Sequence, residues 1–175
     1  MNMNDLVILV DESDHEIGYL DKLEAHQKGM LHRAFSVLIF NSAGQLLLQK
    51  RAAHKYHSAG LWTNTCCSHP KPNEPMADAV QRRLGEEMGI ACETSFAYKF
   101  IYRAALDGGL TEHELDYVFI GVCDDKPVIN LQEVADWKFA SLAEIRKDLA
   151  QKPEAYSFWF KEILNHPELE AYTPA

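Results

Sequence analysis

The chain has 175 residues, 47% of them hydrophobic and 25% charged, with a formal net charge of -9. A domain of that length buries roughly 70% of its unfolded surface. The acidic balance argues against a general nucleic-acid or anionic-membrane binder, because such partners need a net basic face, whereas an anionic small molecule stays open if a few basic residues and a divalent cation outweigh the field locally.

The N-terminus carries no basic segment, and the apolar run Leu6–Val10 is too short for a signal-peptide core or a membrane span. The run reads as a strand over Leu6 to Asp11, and the expected location is the cytoplasm, with thiols reduced. The four cysteines, Cys66, Cys67, Cys92 and Cys123, lack zinc-like CxxC spacing, so disulfide and zinc-ribbon readings are both poor. Ile17 to Leu20 reads as a second strand, and Lys22 to Gly29 as a short helix. Phe35, Val37 and Ile39 alternate with polar or opposite-facing residues up to the turn at Asn41–Gly44, and Gln45 to Arg51 returns as the hairpin partner.

Residues 75–88 give the clearest helix. Pro75 suits its first turn, Gly89 a left-handed stop, and Ala77, Val80, Leu84 and Met88 one apolar stripe, with Arg83, Glu86 and Glu87 opposite. Strands are expected over Phe96 to Ala105 and Glu112 to Cys123, joined at Asp107-Gly108-Gly109, and again over Trp137 to Ala140. Ser141 and Glu144 form a capping-box pattern ahead of Ile145–Ala150, and Pro153 opens a last helical segment containing Trp159. The pattern is a single domain over residues 1–175, of class α/β (α+β), with a mixed sheet flanked by helices.

Chemistry concentrates between Trp62 and Ile90, where vicinal Cys66-Cys67, His69 and a glutamate-rich helix end follow one another. With Ser68 first, Glu74 lies six residues on, then come Arg82, Leu84, Glu86, Glu87, Gly89 and Ile90 in register. This resembles the Nudix box, G-x5-E-x7-R-E-U-x-E-E-x-G-U, in which U is a bulky aliphatic residue and the helix glutamates bind Mg2+ beside a diphosphate. Ser68 replaces the first glycine and Arg83 the first glutamate of the core. A cation in place of a metal carboxylate impairs the usual hydrolytic cluster, while its planar fork suits phosphate oxygens.

Trp62-Thr63-Asn64-Thr65-Cys66-Cys67-Ser68-His69-Pro70, Arg82-Arg83 and Glu112-His113-Glu114 together are similar to the type I isopentenyl-diphosphate isomerase family, over about Val7 to Trp159. The resemblance implies interconversion of isopentenyl and dimethylallyl diphosphate. It implies Cys67 and Glu114 as the proton-handling pair, with Tyr102 as a relay, and Trp159 at the hydrocarbon end. It implies Lys22, Arg51, Lys55 and Arg83 around the diphosphate, Glu87 on a Mg2+ that arrives with it, and a second divalent metal, Mn2+, Zn2+ or Mg2+, on His26, His32, His69, Glu112 and Glu114.

The residues themselves are compatible with this. Glu112 and Glu114 alternate in a strand and share a face, as do Cys67 and His69, whereas Cys66 faces the other way as a packing residue, and Cys92 and Cys123 are also assigned to packing. His26 and His32 do not align on one helix face, but a loop through Gly29 is able to fold them toward a common point. Taken singly, each histidine, Lys55 and the aromatic residues have plain surface or core readings. His15, His54, His57, His113 and His166 receive no role. The partner is a small allylic or homoallylic diphosphate, with no nucleic acid and no membrane, and no feature assigns an oligomeric state. Two alternatives differ in class: a Nudix pyrophosphohydrolase, which Arg83 and the Cys67/His69 pairing disfavour, and a non-catalytic metal- or isoprenoid-binding module, which the joint presence of Cys67 and Glu114 disfavours.

Overall fold

A nine-stranded mixed sheet organises residues 5–172, the part of the chain that the computed structural model describes. Its centre is β3 (His32–Phe40), a run buried at almost every position. On one side lies β8 (Thr111–Val122), parallel to β3 from His32 opposite Glu114 to Phe40 opposite Val122, with β7 (Thr94–Ala105) antiparallel beyond it. The hairpin of β1 (Leu6–Val10) and β2 (Glu16–Asp21) meets β3 at Leu9 and His32. A strand with neighbours on both edges and helices over both faces has no polar side, which is why β3 reads as a continuous apolar run from Val37 to Phe40.

The feature that makes the site is a split. β3 and β4 (Leu46–Arg51) pair only at Phe40 and Leu46. They then separate: β6 (Cys66–Ser68) takes the edge of β3, while β5 (Trp62–Thr63) and β9 (Val134–Ala140) take the two edges of β4. Side chains satisfy backbone groups left open by the split, as buried polar groups require. The Thr65 hydroxyl donates to the Leu47 carbonyl at 2.7 Å and accepts from the Ile39 N–H at 2.9 Å. The Asn64 amide donates to the carbonyls of Cys66 at 2.7 Å and Val37 at 3.2 Å.

Alternation sorts the apolar residues to two faces. Phe35, Val37 and Ile39 meet α2 (Met76–Met88), while Leu38, Phe40, Val118 and Tyr102 meet α3 (Leu142–Gln151) and α4 (Phe158–Asn165). Val80, Leu84 and Met88 form the buried stripe of α2, each contributing about 1.5–3 kcal/mol by burial. Two expectations for this helix need correction. Ala77 is exposed and Ala79 takes the buried place, because the buried arc is centred on 80, 84 and 88 and reaches 79 and 87 beside them. Glu87, expected on the polar face, is itself 5% exposed. Gly89 stops the helix at φ 64, and a Cβ there would lie 2.5 Å from the Val128 carbonyl, so backbone packs directly on this turn.

α1 (Lys22–Lys28) is capped by the Asp21 carboxylate on the N–H groups of Leu23 and Glu24, and Gly29 ends it at φ 62. The Ser141–Glu144 capping box opens α3 as the sequence indicates. β9 begins three residues earlier than Trp137, since pairing with β4 reaches Val134 opposite Arg51 through an irregularity that breaks the alternation. A last short helix, α5 (Leu169–Tyr172), buries Leu169 against α4 and the sheet.

Candidate active site

The split between β3–β6 and β4–β5 opens a narrow inner chamber of about 60 Å³, lined by Cys67, His69, Glu112, Glu114, Trp159 and the cationic groups of Lys22, Arg51, Lys55 and Arg83. A hollow of about 230 Å³ shares Lys22, Lys55, His69 and Arg83 with it. Four of the chain's cations thus converge on one cleft of an acidic protein, interleaved with Glu87, Glu112, Glu114 and Glu133.

The turn at Gly29 brings together histidines six positions apart: the rings of His26 and His32 have centroids 5.0 Å apart, and His32 and His69 lie at 5.1 Å. His26 Nδ1–H donates to the Lys22 carbonyl at 2.6 Å, and His32 Nδ1–H donates to the Met30 carbonyl at 2.8 Å. Those bonds select the tautomer whose Nε2 bears the lone pair. Both Nε2 atoms are buried without a hydrogen-bond partner, as is Glu112 Oε2. His32 Nε2 approaches Glu114 Oε1 to 3.4 Å without the alignment of a hydrogen bond.

Donor atoms of His26, His32, His69 and Glu114 all lie within 4.8 Å of one another, and those of His26, His57 and Glu112 form a second such set. Imidazole nitrogens with carboxylate oxygens suit a first-row divalent cation, and buried unpartnered acceptors are what such an ion satisfies, so these residues fit the group.

Glu114 divides its two oxygens. His69 Nε2 lies 2.9 Å from Oε1, while the Tyr102 hydroxyl donates to Oε2 at 2.7 Å. Burial works against its charge, but the close His32 ring and the hydrogen bond from His69 overcome it and hold Glu114 well below the usual carboxylate range. Burial and the neighbouring Glu114 charge push Glu112 well above it. Burial lowers His69 to about 3, leaving a neutral ring that donates to Glu114, and raises the Cys67 thiol to about 12. Tyr102 is raised by burial and by both glutamates. Cys66, fully buried, packs on the α2 face, and Cys67 pairs with Ser36 on the cleft side.

At the α2 end the charges are already paired. Arg83 bonds Glu86 at 2.8 Å, Glu87, and Glu133 at 3.5 Å, while its Nε–H is buried without a partner. Burial acts against the Arg83 cation, but the Glu87 charge outweighs it and raises its pKa. Gln49 donates to Glu87 Oε2 and to the Thr65 carbonyl, each at 2.8 Å. Lys55 pairs with Glu133, and the Arg51 guanidinium lies 5.2 Å from the Trp159 ring centroid. The Trp159 indole N–H donates to Asn64 at 3.2 Å. Partly buried Lys22 has its pKa lowered by burial and by the charges of Arg51 and Lys55.

Ten of the sequence-nominated residues line this cleft, and His26, His32 and Tyr102 lie beside it, grouped with His69 and Glu114. Sequence reasoning passed over His57, Glu133 and Gln49. His57 lies in a loop without periodicity and Glu133 follows a long irregular segment, so neither carries a local signal; Gln49 reads as an ordinary strand residue.

Comparisons with known proteins identify the family and the fold. Residues 30–160 match the family model described as the NUDIX domain. Two isopentenyl-diphosphate Delta-isomerases of Aromatoleum aromaticum are 58% and 54% identical over 163 residues, covering 93% of this chain and 92% and 86% of their own lengths. The isopentenyl-diphosphate Delta-isomerase of Pectobacterium atrosepticum is 52% identical over 155 residues, 89% of this chain and 87% of its own. A protein from Deinococcus radiodurans has a similar solved structure, with a TM-score of 0.76 at 16% identity over 91% of this chain and 96% of that one. A MutT protein from Methanosarcina mazei gives 0.66 at 21%, over 82% and 96%. These two likenesses speak for the fold alone.

Proposed function

From the premise that this chain belongs to the Nudix family and, within it, to the isopentenyl-diphosphate Delta-isomerases, we propose that its cleft moves a proton across an allylic diphosphate. The enzyme is an isomerase that interconverts isopentenyl and dimethylallyl diphosphate. The observation that supports this chemistry best is the placing of Cys67 and Glu114 in one chamber with four cations, with Tyr102 hydrogen-bonded to Glu114.

Adding a proton to the terminal alkene carbon leaves a tertiary cation on the neighbouring carbon. Removing a proton from the adjacent methylene restores the double bond one position along. A flat substrate needs one proton-handling group on each side, and Cys67 and Glu114 take these places. Because the reaction runs both ways, each donates in one direction and accepts in the other. Tyr102, hydrogen-bonded to Glu114 Oε2, gives that proton a path that leaves Oε1 facing the histidines. Trp159 presents an aromatic wall to the developing cation.

The enzyme depends on a divalent metal. His26, His32, His69, Glu112 and Glu114 would hold Mn2+, Zn2+ or Mg2+, and Glu87 a Mg2+ carried by the diphosphate, the first fixing the carboxylates and the second offsetting phosphate charge. Lys22, Arg51, Lys55 and Arg83 would bind the diphosphate oxygens. No helix among the described residues is long and apolar enough to cross a membrane, and we place the single-domain protein in the cytoplasm. Incubation with isopentenyl diphosphate and Mg2+ tests the reading. Dimethylallyl diphosphate as product supports it; phosphate release would mark a hydrolase, and no turnover a binding module.

A further inference from the structure

Cys92 and Cys123 stand outside the cleft, at the open end of the β7–β8 hairpin. The last ladder pair there is Thr94 opposite Gly121. Continued two residues outward, that register sets Cys92 opposite Cys123, and both pack with the cluster on the α2 face. Gly121 makes room between them: a Cβ on it would lie 3.0 Å from Cys92 Sγ and 2.6 Å from the Glu93 carbonyl. The Cys92 thiol donates to the carbonyl of Val122, the residue before Cys123, at 3.5 Å, and Cys123 Sγ accepts from the Asp125 N–H at 3.4 Å. Burial raises the Cys92 thiol to about 11, and the charge of Cys123 and a hydrogen bond between the two thiols add to it.

We infer that Cys92 and Cys123 form a dithiol site that closes reversibly to a disulfide by exchange with a small-molecule disulfide such as glutathione disulfide. Residues directly opposite in an antiparallel pair have Cα atoms about 4.5–5.5 Å apart, within the span of about 4.4–6.8 Å that a disulfide bridges. Cys92 is 7% exposed and Cys123 is only half-buried, so Cys123 meets the reagent first. Its thiolate attacks one sulfur of the external disulfide, that S–S bond breaks, and one small thiolate leaves and takes up a proton. Cys92 then gives up its proton and attacks the Cys123 sulfur of the mixed disulfide, expelling the second small thiol. Two protein thiols are oxidised and one external disulfide is reduced to two thiols. Cys66 and Cys67 are not such a pair, since neighbours on β6 face opposite ways. The Gln81 amide already ties α2 to the Cys92 carbonyl at 2.8 Å. The bond therefore fastens the exit of α2 to the end of β8 and encloses the hairpin that carries Tyr102, Glu112 and Glu114 in a covalent ring. A ring of that length restricts the unfolded chain and so favours the folded one.

The inference is independent of the isomerase reading, and it is tested on the whole wild-type protein. Native protein is incubated with glutathione disulfide at about pH 8.5, where a thiol is partly ionised, then quenched with acid, alkylated and mapped by peptide mass. A Cys92–Cys123 linked peptide that disappears with dithiothreitol is expected. The oxidised form should show a urea midpoint higher by about 1 M, which falls back on reduction. Cys92→Ala should form no linked peptide and should instead retain glutathione on Cys123. The site is overturned if both thiols stay free in the native protein, if wild type keeps glutathione on Cys123 without closing, or if the link forms only in denaturant. An unchanged urea midpoint in fully linked protein would overturn the fastening of α2 to β8.

Discussion

The two ends of the cleft satisfy their charges in opposite ways. At the α2 end, Lys55 and Arg83 already share Glu133, and Arg83 also holds Glu86 and Glu87. At the histidine end, the Nε2 atoms of His26 and His32 and one oxygen of Glu112 are buried with nothing to bond. A buried orphan acceptor costs about 1–3 kcal/mol, so the histidine end gains from adding a cation. On the proposed reading the α2 end instead exchanges partners, since a diphosphate would replace carboxylates that the cations hold beforehand. One end is built for insertion and the other for substitution.

The largest expected effect breaks the histidine end. Removing divalent metal with a chelator should reduce turnover to background, and His69→Ala should lower metal content and activity together. Full activity in demonstrably metal-free protein would sink the ligand assignment. Next comes the chemistry between the ends. Cys67→Ala should lose on the order of 10²-fold or more in turnover while binding substrate, with proton exchange in deuterated water lost as well. Cys66→Ala, on the α2 face, should be mild. Near-normal isomerisation by Cys67→Ala would leave that thiol as packing.

Smaller effects sharpen the α2 end. Leu84→Ala empties a fully buried position of the helix that carries Arg83 and Glu87, and should cost about 2–5 kcal/mol in urea unfolding. Arg83→Glu sets an anion beside the substrate phosphate and breaks the Glu87 pair. Diphosphate affinity should fall by at least about 1.5 kcal/mol in a calorimetric titration; unchanged affinity would make Arg83 a structural partner of Glu87 only. The smallest effect concerns pH. Hydrogen bonds from Arg82, at 2.6 and 2.9 Å, hold the partly buried Glu74 below its usual 4.5. A lowered folded value gives stability that is present above the unfolded pKa and lost as pH falls through the folded one. Glu74→Gln should therefore cost stability at neutrality, a loss that shrinks as pH falls below about 4.5, as denaturant midpoints measured across pH would show.

Local patterns were enough for much of this. The α2 stop at Gly89, the Ser141 capping box and the face shared by Glu112 and Glu114 depend on spacings of one to four residues, which the chain states directly. Ala77 went to the wrong side because an apolar letter near a helix start does not say where the buried arc is centred. Glu87 read as solvent-facing because its burial follows from Gln49, a residue of another strand.

The sequence by itself determined the elements, most of their buried faces and the family, and it nominated residues for proton transfer, metal ligation and phosphate binding. Periodicity and short motifs encode these within a few neighbours. Only the tertiary structure decided that β3 and β4 part after Phe40 and Leu46, that Thr65 and Asn64 satisfy the opening, and that it becomes the cleft. The same holds for the His57 ring turned toward His26 and for Glu133 placed between Lys55 and Arg83. These contacts join residues dozens of positions apart or lie in loops without a repeat, so strand pairing and loop closure set them rather than any pattern along the chain.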